Sequence, residues 1–183
     1  MRSRGVLGGA ALTLALVSAC GGGGGDPAGP TPTAARRMTV SSPAFADGRT
    51  IPRRYTCAGE NVSPPLTFSR IPAHTAGLAL LVEDPDAPHG TYTHWLVWDI
   101  DPHTTHLDAG TAPPGAAEGR NSFTKKGYSG PCPPHGTPHH YVFTVYAADR
   151  HLGLGPRSTA GDVRHALTGH ALAVGTLTGR FGL

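Results

Sequence analysis

Apolar positions in this chain fall into short runs separated by glycine and proline. Gly77-Leu78-Ala79-Leu80-Leu81-Val82 is an uninterrupted apolar run, the pattern of a strand buried on both faces. A second apolar strand is predicted from Thr93 to Ile100, and shorter ones at Met38–Val40 and Leu66–Phe68. From His139 to Tyr146 the residues alternate. His139, Tyr141, Phe143 and Val145 share one face, while His140, Val142, Thr144 and Tyr146 share the other. One helix is expected. Thr159 can cap it, Asp162 places an acid at its positive end, and Val163, Ala166, Leu167 and His170 recur at helical spacing. A last strand, Ala171 to Phe181, closes the chain. Many strands with one late helix predict a mainly β fold, a sandwich with a small helical addition.

The N-terminus carries a different pattern. Arg2 and Arg4 precede an apolar stretch from Val6 to Val17, which ends in Ser18-Ala19-Cys20. That order reads as a secretory signal over residues 1–19, too short for a membrane-spanning helix. Cysteine directly after the small residues resembles a bacterial lipobox, which implies diacylglycerol on Cys20 and an exported protein anchored on the outer face of a bacterial cell membrane. Five glycines and a Pro/Thr-rich stretch follow, so residues 20–37 are expected to be a flexible tether and 38–183 one domain. With Arg2 and Arg4 set aside, 13 basic residues face 12 acidic ones, and no basic patch points to nucleic acid. Cys57 and Cys132 remain in the domain, and export favours a disulfide between them over two buried thiols. A bridge closing that loop contributes about 4 kcal/mol by chain entropy.

Candidate chemistry gathers at the ends of the strands. Asp84-Pro85-Asp86-Ala87-Pro88 leaves the first buried strand, and His94-Trp95 lies near the start of the next. Prolines stiffen the turn that carries both acids. Downstream, Gly127-Tyr128-Ser129-Gly130-Pro131-Cys132-Pro133-Pro134-His135-Gly136 forms a rigid loop whose amides at Gly130 and Cys132 could point at a ligand. With His139 on the same rim as His94, the pocket would hold two acids, two imidazoles, the Tyr141 phenol and an amide-lined wall. These donors agree with the phosphate-like anion that a family resemblance implies, with the acids holding the imidazoles charged and oriented or meeting an ammonium group. No metal or cofactor is expected. His135 and His139 are four apart, but Gly136 and Pro138 preclude a helix between them, and His139 and His140 point to opposite faces. Nor is catalysis expected, because Gly127-Tyr128-Ser129-Gly130-Pro131 lacks the last glycine of a nucleophile elbow.

These blocks resemble the phosphatidylethanolamine-binding protein family, in its bacterial Raf-kinase-inhibitor-like branch. The resemblance runs from Ser41-Ser42-Pro43-Ala44-Phe45 through Tyr55 to Leu66, the Asp84 block, Gly119-Arg120-Asn121 and the Gly130 loop, to Gly169-His170-Ala171-Leu172-Ala173. It implies a β-sandwich with a small anion pocket for phosphate or a phospholipid head group, formed by Asp84, Asp86, Pro88, His94, Gly130, Cys132, His139 and Tyr141. It also implies an alternative of another class, an inhibitor of a serine protease or carboxypeptidase. The chain departs from the family at three places. His140 stands where arginine is usual, Thr124 where glycine is common, and the sequence stops soon after its last strand, where animal members carry a further helix. Kinase inhibition by those animal members is therefore not carried over.

Overall fold

The computed structural model describes residues 30–183; the expected signal, Cys20 and the first part of the tether lie outside the described residues. Its strands are β1 (Arg36–Arg37), β2 (Thr39–Ser41), β3 (Arg49–Thr50), β4 (Leu66–Ser69), β5 (Gly77–Asp84), β6 (Tyr92–Ile100), β7 (His106–Leu107), β8 (Ala117–Glu118), β9 (His139–Ala148) and β10 (Ala171–Phe181). Among the described residues there is one α-helix, α1 (Ala160–Leu167), which precedes β10. The large sheet runs β1-β10-β9-β5-β6-β8, with β3 also on β10, and a small sheet runs β2-β4-β7. The first paired residues, Arg36 and Arg37, precede the expected boundary at Met38 and run parallel to β10. Their exposed charged side chains look like tether in sequence, but it is the backbone that pairs.

The apolar run at Gly77–Val82 behaves as its pattern requires. All eight residues of β5 are buried. Leu78, Leu80 and Val82 join Val97, Phe143 and Val145 in a core closed by Val40, Leu66 and Phe68 of the small sheet. Ala79 and Leu81 face the other way, with Leu96, Trp98 and Tyr146, against Ala160, Val163 and Leu167 of α1. The two tryptophans divide between these layers, Trp95 in the first and Trp98 in the second. The helix starts where expected: Thr159 and Asp162 form a reciprocal capping box. His170 lies past the helix end and pairs with Asp149 at 2.9 Å instead of lining the apolar face.

One irregularity shapes the site. Val82 is paired with Trp95 but Glu83 with Thr93, so His94 is an extra residue on β6. Strict alternation would send His94 to the α1 side with Leu96 and Trp98. The bulge turns it instead onto the core side, where its ring meets that of Tyr141 at 5.2 Å. Glu83, one residue before Asp84, faces α1 and pairs with Arg164.

Candidate binding site

Asp84 is the last residue of β5 and is 3% exposed. One carboxylate oxygen accepts the Asp86 amide at 2.9 Å, a side-chain turn that fixes the Pro85 segment. The other meets His139 Nδ1 at 2.7 Å. Asp86 repeats this on the next residue, accepting both the His140 amide at 2.7 Å and His140 Nδ1 at 2.6 Å. The acid turn is thereby stapled to the start of β9 by two consecutive histidines. The His140 backbone amide, then its ring, holds the Asp86 carboxyl below the ordinary carboxylate range. Where arginine is usual, His140 is thus engaged with Asp86, a partnership that position alone does not signal.

His94 sits at the centre and is 3% exposed. Its Nδ1–H donates to the Ser129 carbonyl at 2.6 Å, and the Ser129 amide donates back to the His94 carbonyl at 3.0 Å. Asn121 Nδ2 reaches the His94 carbonyl at 3.3 Å, the Gly127 carbonyl at 3.0 Å and Ser129 Oγ at 3.2 Å, locking the loop to β6. Burial lowers the His94 pKa below its ordinary 6.5, against the upward pull of the Ser129 carbonyl, the Asp84 carboxylate and the Gly130 backbone. Near pH 7 the ring is therefore neutral, with its proton on Nδ1 and a lone pair on Nε2. The expectation that the acids hold the imidazoles charged fails for His94, because desolvation outweighs the attraction of Asp84.

Around this ring stand Tyr92 at 5.7 Å, Phe123 at 5.5 Å and Tyr141 at 5.2 Å, all edge-on. Phe123 has no chemical signature in the sequence and enters the site only through the turn after Asn121. Thr124 in that turn has φ 59°, so a β-branched residue occupies the left-handed region at the position where glycine is common. The Tyr141 hydroxyl is buried without a hydrogen-bond partner. Burial first, then the Asp84 carboxylate, push its pKa above the ordinary phenol range, while the Cys132 amide acts the other way.

In the proline-rich loop the amides divide differently from the expectation. Gly130 donates its amide to Asn61 Oδ1 at 2.8 Å, so that donor is already used. A Cβ at Gly130 would lie 2.6 Å from the Tyr55 carbonyl oxygen, so glycine is required for this close approach. Cys57 and Cys132 are disulfide-bonded, with Cα atoms 5.4 Å apart. Pro88 is exposed in the turn between β5 and β6, and nothing ties it to the cluster beyond stiffening that turn.

The depressed His94 pKa has a consequence for stability. Below pH 6.5 the unfolded chain takes up a proton that the folded chain resists, so this group's contribution is complete above pH 6.5 and is lost as pH falls toward its folded value. Thermal melts between pH 7.5 and 5 should show the loss in the wild type and a shallower slope in His94→Gln. Parallel pH profiles for the two proteins would exclude this origin.

The family model for phosphatidylethanolamine-binding protein matches residues 41–182. The chain belongs to that family. Among its relatives, a UPF0098 protein of Methanothermobacter thermautotrophicus is 44% identical over 149 residues, covering 79% of this chain and 98% of that one. LppC of Mycobacterium tuberculosis, named as a candidate lipoprotein, is 45% identical over 190 residues, covering 93% and 94%. Of solved structures, the phosphatidylethanolamine-binding protein homolog CT736 of Chlamydia trachomatis superposes with a TM-score of 0.77 at 36% identity, over 81% of this chain and 99% of that one. YbcL of E. coli, described as a new member of the mammalian family, gives 0.76 at 31%, over 80% and 99%. The mainly β sandwich is thus the family fold, shared with bacterial members.

Proposed function

We propose that this protein is exported, anchored by lipid on Cys20 to the outer face of a bacterial cell membrane, and binds a small anion without catalysis. The anion is a phosphate or the phosphate of a phospholipid head group. The single observation that carries this reading is the buried Tyr141 hydroxyl, which completes no hydrogen bond of ordinary geometry although the Asp84 carboxylate and the Cys132 amide lie beside it. A buried donor without an acceptor is costly, and an anion oxygen would satisfy it. His94 Nε2 would take up a proton as the anion arrives, because a bound negative charge reverses the desolvation that keeps the ring neutral. In this account Asp84 and Asp86 orient His139 and His140, Gly130 and Pro88 contribute rigid backbone, and Cys132 contributes its amide. A binding role is favoured over hydrolysis because His94 Nδ1 meets the Ser129 carbonyl, while the Ser129 hydroxyl accepts from Asn121. LppC, similar along nearly the whole chain, supports the anchor.

Calorimetric titration with sulfate, a dianion that does not itself titrate near neutrality, tests the pocket. Tyr141→Phe removes only the unpartnered hydroxyl, so it should fold normally and bind sulfate about tenfold more weakly. Proton uptake on binding, read from the buffer dependence of the enthalpy, should disappear in His94→Gln. Phosphorylethanolamine and phospholipid vesicles in parallel arms separate a free phosphate from a head group. Undiminished affinity in Tyr141→Phe would overturn the proposal.

A further inference from the structure

A cavity of about 280 Å³ lies at the Gly127–Tyr128 end of the same loop. Its lining includes Trp95, Glu118, Gly127, Tyr128, Asn61 and Ser63, and none of the residues assigned above to the anion site. The chain has three glutamates, at 60, 83 and 118. Two are neutralised by arginine, Glu60 by Arg54 and Glu83 by Arg164. Glu118 is not: among the described residues its one polar partner is the Trp95 indole N–H, 2.7 Å from Oε1. No lysine, arginine or histidine nitrogen of the described residues pairs with it, although Arg120 and Lys126 are near in sequence.

The surroundings add to this. Trp95 and Tyr128 stand edge to face at 5.8 Å and form apolar walls, and Tyr128 is fixed by a bond from its hydroxyl to the Tyr55 carbonyl at 2.8 Å. Gly127, with φ 90°, leaves the approach to the carboxylate open: its ideal Cβ position is 3.9 Å from Glu118 Oε1. A carboxylate oriented by an indole, flanked by aromatic rings and lacking a cation among the described residues, is the inverse of the anion site. From this we infer that the cavity binds a small organic ammonium ion, whose charge meets Glu118 while its carbon atoms contact Trp95 and Tyr128.

Tryptophan emission of the full-length chain reads occupancy, because Trp95 lines the cavity whereas Trp98 is buried on the α1 side of the sheet. Choline is the probe, and its control is the uncharged isostere dimethylbutanol, with carbon in place of the quaternary nitrogen. Choline should give a saturable change below about 50 mM, and the isostere should bind at least about tenfold more weakly. Glu118→Gln keeps an oxygen to accept the indole N–H but removes the charge, so its resting emission should match the wild type while choline affinity falls at least about tenfold. Choline binding should persist at saturating sulfate, which separates this cavity from the anion site whatever the outcome there. Absence of a saturable change, equal binding of the isostere, unchanged affinity in Glu118→Gln, or displacement by sulfate would each overturn the inference.

Discussion

Arg164→Met is expected to destabilise the domain by about 3–5 kcal/mol, the cost of leaving a buried charge without its partner. The Arg164 guanidinium on α1 pairs with Glu83 on β5, and the two side chains are only 14% and 9% exposed. Apart from Arg164, the Glu83 carboxylate has a single long contact, from the Thr93 hydroxyl at 3.4 Å. Methionine fills a similar volume, so packing of α1 on Leu81 and Trp98 is largely kept and the loss is electrostatic. Combining it with Glu83→Gln removes both charges and should restore most of the stability. Urea unfolding of the two single variants and the double variant measures this directly. A loss below about 1 kcal/mol in Arg164→Met, or a double variant no more stable than the single, would show that the pair is not structurally important.

Removing the Cys57–Cys132 bridge is expected to cost about 4 kcal/mol, since it closes a sequence separation of 75 residues. For a domain of this size the melting temperature should fall by roughly 10 °C. The paired substitutions Cys57→Ser and Cys132→Ser, compared with reduced wild type, separate loss of the cross-link from effects of the reductant. The bridge has local support: the Cys57 amide donates to the Pro131 carbonyl at 3.1 Å, and Gly130 is bound to Asn61. Those contacts should keep the loop near its place once the protein is folded, so the loss should fall mainly on stability. Sulfate affinity tests that division, because the Cys132 amide faces Tyr141 and a displaced loop would weaken binding as well. A change in melting temperature below about 2 °C would indicate that the denatured chain is already compact around this loop.

Local and long-range information separate at particular residues. Buried β5, alternating β9, the Thr159 cap and the closing strand were legible because each is written in local periodicity or in a local hydrogen-bond motif. The acids, His94 and the proline-rich loop were legible as chemistry, and their family resemblance gave them an order. The direction of His94 was not. It depends on a bulge, and a bulge is a property of two strands in register, invisible in one of them. Gly130 looked like a free donor because its acceptor, Asn61, lies 69 residues away. Phe123 carries no chemical signature in the sequence, and only the Asn121 turn brings it against His94.

What the sequence determined by itself is therefore the set of strands, the single helix and the residue types that meet at one rim. Spacings of two and three to four residues carry that information, and they survive without knowledge of any partner. Tertiary structure alone decided protonation and pairing: His94 neutral through burial, Asp84 and Asp86 each taking one histidine, Glu83 matched to Arg164 and Glu118 left without a cation among the described residues. Those outcomes depend on desolvation and on distances between residues far apart in the chain, and both exist only once the sheets and the helix have packed on each other.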